Sequence, residues 1–187
     1  TGKTTVLSIL GGLNKPYRGK MKLDPYMALL PQNPQALFVE MSVERDIYEM
    51  LKSIEKDKEK REEKAKQVIE LLDLENILKR HPYDLSGGEQ QKVAMAKVLL
   101  LEPEILLLDE PTKALDSHFK IKLGNILREL VKKGTTIVMV SHDIEFCAEY
   151  SDRVSLIFNG SIIATERPRE FFSGNSFYTT GANRMSR

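Results

Sequence analysis

Several short groups of residues in this chain have the types and spacing for chemistry. Gly2-Lys3-Thr4-Thr5 has the composition of the end of a phosphate-binding loop. In the full pattern, glycines let backbone N–H groups converge on phosphate oxygens, a lysine reaches the outer phosphates and a hydroxyl holds a divalent cation. The same tetrapeptide taken alone is equally a polar first turn of a helix. Leu85-Ser86-Gly87-Gly88-Glu89 combines a capping-box spacing, Ser86 with Glu89, and two glycines that expose N–H groups at a positive helix end, where phosphate can approach closely. Asp109 and Glu110 follow the apolar run Ile105 to Leu108, at the C-terminal end of a strand where open α/β sheets bind ligands; acidic pairs there also serve as plain turn chemistry. Ser141-His142-Asp143 ends a β-branched run, and a lone histidine in such a place is often structural. Gln32, in a loop between Pro31 and Pro34, carries an amide that can accept from water or metal and donate elsewhere without changing charge, or it is simply a polar loop residue.

Elements of regular structure must hold these groups. Val6 to Leu13 has a helical apolar pattern stopped by Gly11-Gly12, Lys15 to Gly19 reads as a turn, and Met27 to Leu30 as a short strand ended by Pro31. Ser42 is placed to cap a helix with Glu44 in its first turn and Ile47, Met50 and Leu51 facing inward. Lys52 to Lys66 is a mixed-charge run that reads as solvated linker and helix surface rather than a nucleic-acid patch; Ala65, Val68, Ile69 and Leu72 then form a stripe at helical spacing. Val93, Ala96 and Leu100 share one face of the helix that Ser86 opens. Ile105 to Leu108 predicts a strand covered on both faces, and Thr135 to Val140 a second buried strand. Between them, Asp116 or Ser117 caps a helix with Phe119, Leu123, Ile126, Leu127 and Leu130 inward, which Gly134 ends. Val154 to Phe158 and Ser161 to Ala164 flank an Asn159-Gly160 turn, Pro168 to Phe172 suits a short last helix, and 177–187 is polar and aperiodic. His81 and His118 read as exposed.

Totals narrow the classes. A length of 187 residues supports one substantial core with a smaller lobe and excludes two independent enzymes. With 28 Lys and Arg against 27 Asp and Glu, the whole chain gives no electrostatic case for nucleic acid or an anionic membrane. Cys147, the single cysteine, has no metal or redox neighbours and reads as a small buried apolar residue. No stretch approaches the length of a membrane span and no secretory signal pattern opens the chain, so the expectation is a soluble cytoplasmic protein.

The order Gly2-Lys3-Thr4, Gln32, LSGGE, LLLDE, ALD and His142 resembles the ATP-binding cassette (ABC) ATPases over nearly the whole chain. The resemblance implies an α/β P-loop NTPase fold of RecA-like type, a mostly parallel core sheet flanked by helices with an inserted helical subdomain. It implies one domain over 1–187, with 1–34 and 103–166 as nucleotide-binding core, 35–102 as signature subdomain and 167–187 as tail. The start of the phosphate loop is expected to precede Thr1, and the chain to run on past Arg187. By the same resemblance ATP and Mg²⁺ are the ligands. Gly2, Lys3, Thr4 and Thr5 bind phosphate; Thr4, Gln32 and Asp109 serve the metal; Glu110, His142 and Gln32 serve the chemistry, with Glu110 polarising the hydrolytic water and His142 sensing the γ-phosphate. Asp116 closes the D-loop, where the family more often has a small residue or glycine in place of Lys113 and Ala114. Ser86, Gly87 and Gly88 are implied to complete the site of a second cassette in a head-to-tail pair. Transmembrane transporter subunits are the further partners implied, with the chain peripheral on the inner face of the cell membrane and no nucleic acid bound. LLPQNPQALF and the tail resemble the energy-coupling-factor importers of vitamins or metal ions, and in particular the second half of a double cassette. A soluble ABC protein acting on ribosomes or DNA, and a fragment without ATPase activity of its own, remain alternatives.

Overall fold

The computed structural model describes residues 2–21 and 25–174. Three strands form a parallel sheet in the order β1-β2-β3: β1 is Met27–Leu30, β2 Ile105–Asp109 and β3 Thr136–Val140. Leu30 pairs with Leu108 and Asp109 with Val140, so the three strands end level with one another. Parallel neighbours need long crossovers. From β1 to β2 the chain passes through α2 (Val43–Ile54), α3 (Lys58–Leu72) and α4 (Gly87–Leu100), and from β2 to β3 through α5 (Ser117–Lys132).

Side-chain alternation divides the strands between two covered faces. Ala28, Leu30, Leu106 and Leu108 join the main core with α2, α3, α4 and α5. Leu29 and Leu107 face the other way, towards α1 (Lys3–Leu10): a Cβ on Gly11, at the end of α1, would stand 3.4 Å from Leu107 and 3.8 Å from Leu29. Cover on both sides is why the run before Asp109 is continuously apolar instead of alternating.

The inserted helices follow their sequence pattern with two exceptions. Ser42 caps α2 by accepting from the Arg45 N–H, and Ala65, Val68, Ile69 and Leu72 of α3 are all buried. In α2, however, Asp46 is buried alongside Ile47 and Leu51 while Met50 is only half-buried, because Asp46 has a cationic partner in α4. α4 itself is buried nearly all round, including Ala94, Met95 and Val98 as well as the predicted Val93, Ala96 and Leu100, since it lies against α2, α3 and β1 together. His118 is exposed as expected; His81 is half-buried, its Nδ1 accepting from the Tyr83 N–H at 3.2 Å.

Beyond the sheet, α6 (Ile144–Tyr150) precedes a hairpin of β4 (Val154–Phe158) and β5 (Ser161–Glu166), turned through Asn159 and Gly160 at φ 47 and 78. Positive φ at both positions is what an Asn-Gly type I′ turn requires. This hairpin is a two-stranded sheet of its own and does not extend the parallel one. β3 is half-buried rather than buried, because among the described residues only β2 flanks it. α7 (Pro168–Gly174) ends the described chain, so the polar segment 177–187 lies outside it. Among the described residues no helix is long and apolar enough to cross a membrane.

One glycine is fixed by packing. A Cβ on Gly124 of α5 would fall 2.2 Å from the Tyr150 ring, which is held by Phe146 at 4.7 Å and the Arg128 guanidinium at 4.5 Å. Alanine favours a helix interior over glycine by about 1 kcal/mol, while overpacking costs roughly 1–3 kcal/mol. Gly124→Ala should therefore lower the urea midpoint in the native background and raise it in a Tyr150→Ala background, where the space is open.

Candidate functional site

Level strand ends bring chemistry to one edge. Gln32 lies just beyond β1, Asp109 closes β2, and His142 lies just beyond β3. α1 packs against β2 and β3 with its N-terminus at this edge, and Lys3 Nζ is 3.4 Å from His142 Nε2. Gly2, at φ 102, starts the helix in the left-handed conformation that glycine adopts without penalty. Thr4 and Thr5 are exposed on its first turn.

Glu110 is the most constrained of these residues. Its backbone N–H donates to Val140 O at 2.8 Å, its Oε2 accepts from the His142 N–H at 3.0 Å, and its Oε1 lies 3.4 Å from His142 Nε2. The Glu110 side chain is 12% exposed against 76% for His142. Its φ of 52 puts a non-glycine residue in the left-handed region, at a cost of order 1–3 kcal/mol. Nε2 of His142 thus stands between an ammonium and a carboxylate. With the ring proton on Nδ1 it accepts from Lys3; with the proton on Nε2 it donates to Glu110.

Asp109 is 2% exposed and its Oδ1 has no hydrogen-bond partner among the described residues. A buried carboxylate oxygen without a donor carries a desolvation cost that a divalent cation or its bound water removes, so the position fits Mg²⁺. The described residues include no cluster of three or more His, Cys, Asp or Glu suited to a metal. Asp109 with the Thr4 hydroxyl would leave most of the coordination to phosphate oxygens and water, as Mg²⁺ commonly accepts. Gln32 is exposed at the same edge.

The Ser86 turn forms a second centre. Ser86 Oγ accepts from the Glu89 N–H at 3.3 Å and Glu89 Oε2 accepts from the Ser86 N–H at 2.8 Å, the expected capping box on α4. That Ser86 N–H, then the Ser86 hydroxyl, hold the Glu89 carboxyl below its usual range against a smaller opposing effect of burial, with Arg80 assisting. Arg80 also reaches the Asp84 carbonyl at 2.5 Å. Gly87 and Gly88 lie directly under Ala114: a Cβ on Gly87 would be 3.3 Å from the Ala114 Cβ, and one on Gly88 2.7 Å from the Ala114 carbonyl oxygen. Asp116 caps α5 by accepting from the Phe119 N–H at 2.8 Å, the main cause of its lowered pKa. Among the described residues no hydrogen bond or ion pair joins Ser86, Gly87, Gly88 or Asp116 to Lys3, Glu110 or His142.

Sequence reasoning missed the residues that hold the loop between the centres. Gln91 Nε2 donates to Pro111 O at 3.4 Å, Thr112 beside it is buried, and Lys120 Nζ reaches Asp143 at 2.6 Å. Burial pushes the Asp143 carboxyl up, but the Lys120 ammonium, the Phe146 N–H and the Thr112 hydroxyl outweigh it and hold the pKa low. Gln91 carried a signal as part of the glutamine-rich continuation of LSGGE, and Lys113-Ala114 as a departure from the small residue or glycine usual there; the φ of 61 at Ala114 is a glycine-like conformation. Cys147 is half-buried, not a core residue, and burial, with the charges of Asp143 and Glu110, pushes its thiol up to about 11.

A P-loop fold with these two centres defines an ATP-binding cassette, and the comparisons agree. The family model described as ABC transporter matches residues 1–113, and the chain belongs to that family. A Bacillus cereus protein named as an ABC transporter ATP-binding protein is 42% identical over 200 residues, which take in 100% of this chain and 36% of that protein. The energy-coupling factor transporter ATP-binding protein EcfA3 of Oenococcus oeni is 33% identical over 195 residues, 95% of this chain and 68% of that protein. Among solved structures, the ATP-binding cassette MJ0796, a dimer in a post-hydrolysis state bound to ADP and Pi, matches with a TM-score of 0.80 at 27% identity over 90% of this chain and 81% of that one. The structure of cbiO1 from Clostridium perfringens, part of the ABC transporter complex cbiONQ, matches at 0.77 and 27% identity over 91% and 74%. The chain therefore spans only 36% of the length of its Bacillus relative.

The glycine contacts separate by rescue. Gly88→Ala should destabilise by about 1–3 kcal/mol and resist correction, since its neighbour is backbone, whereas the milder defect of Gly87→Ala should be relieved by Ala114→Gly; paired denaturation curves measure both. For Cys147, so high a pKa leaves little thiolate at pH 8, and the folded chain should react with iodoacetamide roughly a hundredfold more slowly than the unfolded chain.

Proposed function

We propose that this chain binds ATP with Mg²⁺ and hydrolyses it as the energy-coupling cassette of a membrane transporter, an importer of vitamins or metal ions. The observation that carries the reading is the meeting of Lys3, His142 and Glu110 beside the unpartnered Asp109 oxygen at the sheet edge. Lys3 neutralises the outer phosphates, while Gly2, Thr4 and Thr5 present α1 amides to phosphate oxygens at the positive end of the helix. Thr4, Asp109 and Gln32 would hold the metal. Bound Mg²⁺ supplies neutralisation of the phosphate charge.

Glu110 orients the attacking water and takes its proton as the new oxygen–phosphorus bond forms and the bond to ADP breaks; the proton then passes to the departing phosphate. The hydrogen bond from the His142 N–H to Oε2 fixes which way that carboxylate faces. His142, between Lys3 and Glu110, registers the presence or loss of the terminal phosphate.

Ser86, Gly87, Gly88 and Asp116 serve the nucleotide of a second cassette placed head to tail. Their separation from Lys3 in the hydrogen-bond network supports this, as does the dimeric state of the MJ0796 relative. We take 1–34 and 103–166 as the nucleotide-binding core, 35–102 as the helical lobe and 167–187 as the tail. EcfA3 and cbiO1 support attachment to transporter subunits at the inner membrane face and the importer reading.

Glu110→Gln keeps size and removes the base. In the full-length gene product it should lower ATPase kcat by roughly 10²–10⁴-fold while fluorescent-nucleotide titration gives an unchanged affinity. Turnover at the native rate would end this assignment.

A further inference from the structure

Gln32 is followed by a short turn, Pro34–Leu37, that lies against α4. What fixes it there is a pair of buried charges. Lys97, in the last turn of α4, has a side chain 10% exposed, and Asp46 of α2 one 2% exposed. The Lys97 ammonium donates to Asp46 Oδ1 at 2.6 Å and to the Leu37 carbonyl at 2.5 Å, while the same Oδ1 accepts from the Val39 N–H at 3.3 Å. The pair thus grips the backbone of the segment after Gln32 on both of its hydrogen-bonding sides. A second, weaker tie runs from Gln35 Nε2 to Gln90 Oε1 of α4 at 3.4 Å.

Stability is a poor explanation for these charges. Asp46 Oδ2 is buried with no hydrogen-bond partner among the described residues, and a buried ion pair of incomplete satisfaction is commonly replaced by apolar side chains at no loss of stability. Apolar side chains, however, cannot hold a carbonyl and an N–H. The feature that the charged pair provides, and that packing would not, is a fixed relation between the backbone at 37–39 and the helix that begins at Gly87.

We propose that Lys97 is a positioning residue: through Asp46 and the Leu37 carbonyl it locks the segment after Gln32 to the helix that carries the Ser86 turn, so that the two move as one body. The consequence for turnover rests on the ATPase reading above. Gln32 stands at the edge shared with Asp109, and α4 leads through a short connection into β2, which ends in Asp109. The tie therefore closes a loop of structure that includes the metal-side glutamine, the signature turn and the acidic strand end.

The discriminating variant is the full-length double substitution Asp46→Val with Lys97→Met, which removes the charges at close to the native volume. We expect its urea midpoint to equal or exceed the native one, while kcat falls about tenfold or more and the KM for ATP stays within about threefold. Lys97→Arg keeps both donations and should hold kcat within about threefold of native. A folded double variant with native kcat, or a kcat loss that tracks the loss of folded protein, overturns the proposal. Amide hydrogen exchange of the nucleotide-free chain decides it independently of hydrolysis. Residues 33–39 should exchange at least about tenfold faster in the double variant, with the β2 amides unchanged. Unaltered exchange at 33–39 overturns the positioning role. A native protein that hydrolyses no ATP would overturn the ATPase reading and leave the exchange result to stand for the tie itself.

Discussion

Hydrogen bonding of β2 to a parallel strand on each side is the constraint from which the site follows. Parallel register makes the strands end level, so Asp109 and the positions after β1 and β3 share one edge although long crossovers separate them in the chain. The same pairing reaches past the strand: the Glu110 N–H bonds Val140 O, which turns the chain so that its carboxylate comes back to His142. Two covered faces are the cost of this arrangement, met by α1 on one side and by α4 and α5 on the other.

α4 unites the remainder. Its N-terminus carries the capping box, its second turn carries Gln91, its last turn carries Lys97, and its far end leads into β2. The glycines that open it have two distinct physical reasons to be glycine. Their N–H groups stand at a positive helix end, and their missing side chains admit Ala114. A loop so close to a helix start leaves little freedom for either to shift alone.

Much of this was legible before the structure. Strand β2 announced itself by an unbroken apolar run, Ser86 and Glu89 by their spacing, and the Asn159-Gly160 hairpin by its turn residues. What escaped was set by tertiary position rather than by local pattern. Asp46 and Lys97 lie outside the apolar positions that helical spacing picks out, and only the meeting of α2 with α4 makes their burial tolerable. Half-burial of β3 goes with its having β2 as its one strand neighbour among the described residues, which composition does not encode. Cys147 followed α6 to a half-buried site, and Ala114 bears a conformation its side chain disfavours where its loop passes close over the glycine turn.

The left-handed backbone at Glu110 places two demands in opposition. Glycine or asparagine would sit more easily at φ 52, so a search for thermal tolerance alone should drift toward them at this position. On the ATPase reading proposed above, a carboxylate is what hydrolysis asks for there. On that reading Glu110 is the point where tolerance of heat and turnover are set against each other, and libraries screened for either property should diverge at that residue.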